Sequence, residues 1–307
     1  MWLLPLLLFA DTGTVLNVQV APAETLAVSV AGRGDPVVLL PGVFGSAYGF
    51  RLVGQLITAD GFQVIVIEPL GIGGSARPRH ADYSLTSQAA RVAAVLDTLD
   101  VEHAIVIAHS LGAAMAYRLA VQRPDLVTGI ISLDGGPAEE ASTPGFRRMM
   151  RFSPLLRLFG GERLVRGQVY RNLVESSGDA SWVTEEVVEG YTSDAARDFG
   201  ATLDAYKGMA EAQEPWVLAS RLSEISCPVL LLLGTAPHNG AVPPEEIALL
   251  RDSLPVFAVD SVPGVGHFVF EEQPSAVLEA MARLRGDRTM ACSDAPNEEL
   301  CLGQPCS

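Results

Sequence analysis

The sequence predicts an α/β protein: a mostly parallel eight-stranded sheet flanked by helices, with a helical segment inserted after the sixth strand. Three observations carry this. Short all-apolar runs, such as VVLL at 37–40 and VIVI at 64–67, read as strands buried on both faces, as in parallel sheets. These runs alternate with helical spacing, as at Ala89, Val92, Val95 and Leu96. The alternation stops after Asp134 and resumes at Val229, and residues 137–220 between them show helix patterns and no convincing strand.

Taken in order, residues 15–20 and 25–30 read as two strands joined by a turn at Ala21-Pro22-Ala23. Residues 37–40 form the third strand, 46–58 a helix and 64–67 the fourth strand. A helix over 84–99 leads to a strand at 104–108, a helix over 113–121 and the sixth strand at 127–133. Beyond the insertion come a strand at 229–233, a helix at 244–253, a strand at 256–262 and a last helix at 273–284. No internal repeat is visible.

Composition narrows the function classes. The chain has 307 residues, 49% hydrophobic and 19% charged, which is too apolar for a disordered protein. A chain this long buries a core without metal or disulfide staples. The net charge of −15 repels a phosphate backbone, so a nucleic-acid partner is not expected. The four cysteines, Cys227, Cys292, Cys301 and Cys306, form no CxxC pair and have no histidine at zinc-ligand spacing. Three of them fall in the last sixteen residues, a polar stretch that suits an oxidising compartment better than cytosol. Their pairing is not specified by the sequence. The N-terminal MWLLPLLLFA is about half the ~20 residues a membrane span needs. It is like the apolar region of a secretory signal, with Ala10 near a cleavage point, but lacks the preceding Lys or Arg. A short anchor and a buried first strand are its other readings. The two ends together favour export (periplasmic, extracellular or membrane-anchored) over a cytoplasmic protein.

The sharpest motif is AIVIAHSLGAA at 104–114, an apolar strand running into His-Ser-Leu-Gly and then a small-residue helix. It resembles the nucleophile elbow, G-x-S-x-G, of the α/β-hydrolase family, with Ala108 in place of the first glycine. The spacing has a steric reason: a strand that turns sharply into a helix puts the serine at a strained apex, where only small neighbours fit. The amide of Leu111, at the start of that helix, faces an oxyanion. LLPGVFG at 39–45 resembles the family loop that supplies the second oxyanion amide. By position the donor is Val43, with Phe44 as the alternate. EPLGIGGS at 68–75 is similar to the family's Asp-x-x-Gly-x-Gly-x-Ser stretch, a packing loop and not a phosphate loop, since no GK[ST] follows.

VPGVGHF at 262–268 resembles the late Gly-His loop of the family, which makes His267 the base that takes the proton of Ser110. The acid departs from the usual pattern. The loop after the seventh strand, GTAPHNGAVP at 234–243, has Pro237 where most members carry an aspartate, and no carboxylate at all. Asp134, at the end of the sixth strand, takes the acid's place as in some relatives. Glu245, Glu246 and Asn239 stand as rivals, as does a site with no third member.

The resemblance, over residues 15 to 285, implies a Ser-His-Asp serine hydrolase acting through an acyl-enzyme on a carboxylic ester. It implies no metal and no organic cofactor. Serine at 110 argues against epoxide hydrolase and haloalkane dehalogenase chemistry, which need a carboxylate there. Lactone, amide or carbon–carbon hydrolysis would use the same triad, and a non-catalytic binding protein on the same fold is a further alternative. The resulting map is a hydrophobic signal-like or anchor segment at 1–14, a discontinuous core at 15–136 and 221–285, a helical cap at 137–220 and a Cys-containing tail at 286–307. Within 146–159 of the cap, Phe, Met and Leu interleave with Arg. This segment suits an apolar group on a small-molecule substrate, and with the N-terminus it offers a peripheral membrane contact. The oligomeric state is left open.

Overall fold

The computed structural model of the chain describes residues 13–151 and 162–286. Residues 1–12, the tail with Cys292, Cys301 and Cys306, and the stretch with Phe152, Leu155, Leu156, Arg157, Leu158 and Phe159 lie outside the described residues.

Eight strands form one sheet: β1 Thr14–Ala21, β2 Glu24–Gly32, β3 Pro36–Leu40, β4 Gln63–Ile67, β5 Ala104–His109, β6 Val127–Leu133, β7 Val229–Gly234 and β8 Phe257–Val262. Their spatial order is β1-β2-β4-β3-β5-β6-β7-β8. The β1–β2 and β2–β4 pairs are antiparallel and every other pair is parallel. The all-apolar runs are central, as their composition requires. In β3, residues Val37, Val38, Leu39 and Leu40 are fully buried. In β5, Val106 and Ala108 join one apolar core while Ile107 joins the other, so the sheet separates two layers. Helices α2 Leu85–Thr98 and α3 Leu111–Gln122 pack in the first layer. Helix α1 Arg51–Ala59 packs in the second.

Local chemistry sets the helix starts. The Ser84 hydroxyl caps α2 by accepting the Ser87 amide at 3.2 Å. The single helix expected over 46–58 is instead a tight 3₁₀ turn, Ala47–Phe50, followed by α1. Gly49 interrupts the run, and a Cβ there would stand 2.7 Å from the Tyr191 hydroxyl.

Between β6 and β7 the described residues are helical: α4 Pro144–Met150, α5 Glu162–Glu175, α6 Glu185–Arg197 and α7 Phe199–Glu211. The chain then returns through β7, α8 Pro244–Ser253 and β8 to the short α9 Val269–Glu272 and the terminal α10 Pro274–Gly286. Arg118 of α3 ties both ends of the insertion to the core. Its side chain is fully buried. Nη1 donates to the Ala138 carbonyl at 2.9 Å, and Nε stands 3.3 Å from the Glu214 carboxylate. Glu139 in turn accepts the amides of Leu218 and Ala219 at 2.8 and 2.7 Å. Glu214 accepts the Leu85 amide and the Thr86 hydroxyl, both at 2.6 Å. A buried charge is tolerated only when paired and hydrogen-bonded in this way. Among the described residues no helix is long and apolar enough to cross a membrane.

Candidate active site

Ser110 sits between β5 and α3 with φ 52° and ψ −123°, a left-handed conformation that a non-glycine residue adopts only under constraint. Its amide is held by the Leu133 carbonyl of the neighbouring strand at 3.0 Å. The small residues around it answer to close approaches. A Cβ on Gly112 would lie 2.6 Å from the Leu40 carbonyl oxygen, and one on Gly42 would lie 3.2 Å from the Ser110 Cβ. The loop after β3 therefore runs directly against the turn, and Val43 follows Gly42 in it.

Asp134 leaves the end of β6, next to β5 in the sheet, also with a left-handed backbone at φ 47°. Its carboxylate is buried, and Oδ2 lies 2.5 Å from Nδ1 of His267. His267 follows β8, and its backbone amide donates to the Ser176 carbonyl at 2.7 Å. Of the rivals for the acid's place, Glu245 and Asn239 are exposed, and Glu246 lies against Gly136. Burial raises the pKa of Glu246 above its ordinary value.

Three further residues meet this region without a role assigned to them from the sequence. His238, in the loop after β7, places Nε2 2.7 Å from the same Asp134 Oδ2 and Nδ1 2.7 Å from the Ala236 carbonyl oxygen. His109, beside Ser110, is buried with its ring 4.5 Å from that of His267. Its Nε2–H donates to the His267 carbonyl at 3.1 Å. Burial holds its pKa well below the ordinary histidine value, so the ring is neutral. It joins the nucleophile turn to the histidine loop one residue from Ser110. Glu68, at the end of β4, is buried and accepts the amides of Ala47 and Gly74 at 2.6 and 2.8 Å. Desolvation outweighs those two donors and pushes its carboxyl up to about 7.

Donor atoms of Asp134, His238 and His267 lie within 4.8 Å of one another. Ligands at ~2.0–2.1 Å around a tetrahedral ion would stand about 3.3 Å apart. The ring-to-carboxylate separations of 2.5 and 2.7 Å are those of hydrogen bonds instead.

The insertion reaches this region twice. The Tyr206 hydroxyl of α7 donates to the Val43 carbonyl at 3.1 Å. The Tyr206 ring packs edge-on against Phe44 at 5.4 Å and against Phe146 of α4 at 5.9 Å. On the other flank, the Tyr191 hydroxyl of α6 donates to Glu271 at 2.9 Å, which also pairs with Arg51 at 2.5 Å. Glu271 lies on α9, four residues after His267. Burial raises its pKa despite the arginine.

A sharp strand-to-helix turn bearing serine, with a buried acid–histidine pair at the carboxyl ends of a mostly parallel sheet, defines an α/β-hydrolase fold. The comparisons agree: the family model for the alpha/beta hydrolase fold matches residues 35–166. The chain therefore shares the α/β-hydrolase fold, and the proteins it resembles include hydrolases. It is 27% identical over 249 residues to the uncharacterized hydrolase YugF of Bacillus subtilis, covering 80% of this chain and 88% of that one. It is 26% identical over 269 residues to the sn-1-specific diacylglycerol lipase ABHD11 of Xenopus laevis, covering 81% and 78%. Among solved structures, the epoxide hydrolase CorEH shares the fold with a TM-score of 0.74 at 21% identity, over 90% of this chain and 99% of that one.

Proposed function

We propose that the protein is a serine esterase in which Ser110, His267 and Asp134 form a catalytic triad. The observation that carries this reading is the 2.5 Å contact between buried Asp134 and His267 Nδ1, on the strand next to the one that ends at Ser110. That contact makes Nδ1 the N–H donor and leaves Nε2 free to take a proton. His267 Nε2 accepts the Ser110 proton as Oγ attacks the ester carbonyl carbon. The amides of Leu111 and Val43 receive the developing oxyanion, the former aided by the α3 N-terminus. Collapse breaks the bond to the alcohol oxygen, which leaves with the proton from His267. Water then attacks the acyl-Ser110 carbonyl and gives its proton to His267; collapse breaks the bond to Ser110 Oγ, which takes that proton back from His267 as the acid departs.

The Phe44, Phe146 and Tyr206 rings beside the Val43 loop favour an acyl or alcohol group that is apolar. The similarity to a diacylglycerol lipase is compatible with that choice. The helices between β6 and β7 act as a cap that supplies this wall. Serine at 110 keeps the reading on acyl chemistry, although the fold is shared with an epoxide hydrolase.

The test is intact-protein mass after incubation with a fluorophosphonate. One adduct on the wild type and none on Ser110→Ala is expected. A wild type that stays unmodified would overturn the reading.

A further inference from the structure

The insertion also meets the histidine loop, through the connection between α5 and α6 at residues 176–184. Two backbones lie against each other there. The Ser176 carbonyl accepts the His267 amide at 2.7 Å. A Cβ on Gly266 would overlap that carbonyl and stand 2.7 Å from the Gly178 nitrogen, and a Cβ on Gly178 would overlap the Gly264 carbonyl. Glycine at both places is what permits the approach. Glu272, the last residue of α9, closes the contact. Its Oε1 accepts the Gly266 amide at 3.0 Å. Its Oε2 accepts the amides of Gly178 and Asp179 at 2.9 and 2.8 Å. One carboxyl group thus joins the residue before His267 to two residues of the insertion. Trp182, further along the same connection, packs its ring 5.6 Å from that of Phe268, the residue after His267. The Trp182 Nε1–H donates to the Ser177 hydroxyl at 3.1 Å. His267 and both of its chain neighbours are therefore held by contacts in which the insertion takes part.

We propose that Glu272 is a positioning residue that seats the His267 loop on the insertion, so that the inserted helices set the aim of the catalytic base. This rests on the triad reading above. Ser110 and Asp134 stand at the ends of strands, but His267 sits in a loop between β8 and α9. A base must come within ~2.6–3.2 Å of the proton it takes, and a loop alone does not fix that distance. All three groups that reach Glu272 are backbone N–H donors, and each needs an acceptor. A side chain with two acceptor oxygens answers all three. Glutamine in its place keeps one acceptor and turns an N–H toward an amide N–H. The joint then opens on one side or the other, while the volume stays the same.

The test is the fluorophosphonate labelling rate at Ser110 in two backgrounds. In the first, wild type is compared with Glu272→Gln, with Gly178→Ala, which breaks the joint from the insertion's side, and with the double variant. Each single change is expected to slow labelling by about 10- to 100-fold, as a misplaced catalytic group does. The double variant should be no slower than the slower single one, because both open the same joint. In the second background the same changes are made in His267→Ala, which keeps the slow reaction that the oxyanion amides support. There they are expected to change the rate less than twofold, since the residue they act through is gone. A merely structural role would slow labelling equally in both backgrounds, and that result overturns the proposal. So does a wild-type rate in Glu272→Gln or in Gly178→Ala. If His267→Ala itself labels at the wild-type rate, the triad reading fails and the proposal falls with it; if His267→Ala is slow and Glu272→Gln is not, the proposal alone fails.

Discussion

Ser110 and Asp134 end neighbouring strands, and both have a left-handed backbone, at φ 52° and φ 47°. They are held by different means. Around Ser110 the constraint is steric: backbone at the end of β3 closes on Gly112 and leaves no room for a side chain, and Gly42 of the following loop runs close against Ser110. Around Asp134 the constraint is electrostatic, with two imidazole nitrogens converging on one carboxylate oxygen. Steric constraint fails abruptly when volume is added. A hydrogen-bonded assembly fails by degrees.

The largest expected effect breaks the electrostatic side. Asp134→Asn leaves the volume intact but offers His267 an amide, which favours the wrong tautomer; the labelling rate at Ser110 should fall by about 10⁴-fold, with the unfolding midpoint little changed. A variant that labels within tenfold of wild type would move the acid's role to another residue. Breaking the steric side should act on folding instead. Gly112→Val drives atoms into the Leu40 carbonyl, and backbone cannot step aside, so urea unfolding should show a loss of about 3 kcal/mol. Full stability in that variant would contradict the close approach.

Glu68 sharpens the comparison because it lies beside the steric half yet titrates. Its folded pKa, about 7, is above its ordinary value of 4.5. The stability it contributes is thus fully present below the ordinary value and is lost as pH rises through about 7. Melting temperatures should fall across pH 5 to 8 in the wild type, by the equivalent of about 3 kcal/mol, and Glu68→Gln should flatten that fall. An unchanged slope would place the titration elsewhere. The smallest effect is expected at Tyr206→Phe, which removes one hydrogen bond to the Val43 carbonyl and keeps the aromatic packing. A loss of about 1 kcal/mol in the barrier to Ser110 labelling is expected, a few-fold in rate; no change would mean that the bond leaves the Val43 loop unaffected.

These two halves were unequally legible in the sequence. The central strands could be read because a strand buried on both faces must be apolar throughout, as 37–40 and 64–67 are. The serine turn announces itself because its small residues cluster within a few positions of Ser110, although the contacts that force them come from β3 and its loop. The histidine loop and the end of β6 could be singled out by position. His238 could not. Its partner lies 104 residues away, and nothing local in GTAPHNGAVP distinguishes a histidine that meets an acid from one in water. Glu68 was legible as part of a glycine-rich loop, but its burial and raised pKa follow from how Ala47 and Gly74 fold over it. Likewise Gly49 was visible in the run at 46–58, whereas the Tyr191 hydroxyl that needs the space belongs to the insertion.

The Arg118 clamp has a consequence for how such an enzyme diversifies. One guanidinium gathers Ala138 and Glu139, where the chain leaves the core, and Glu214, where it comes back. The chain therefore leaves the core for the inserted helices and returns to it through one clamp. Helices grafted between those two points inherit an entrance and an exit already fixed in space, so new substrate walls can be exchanged over an unaltered chemical platform.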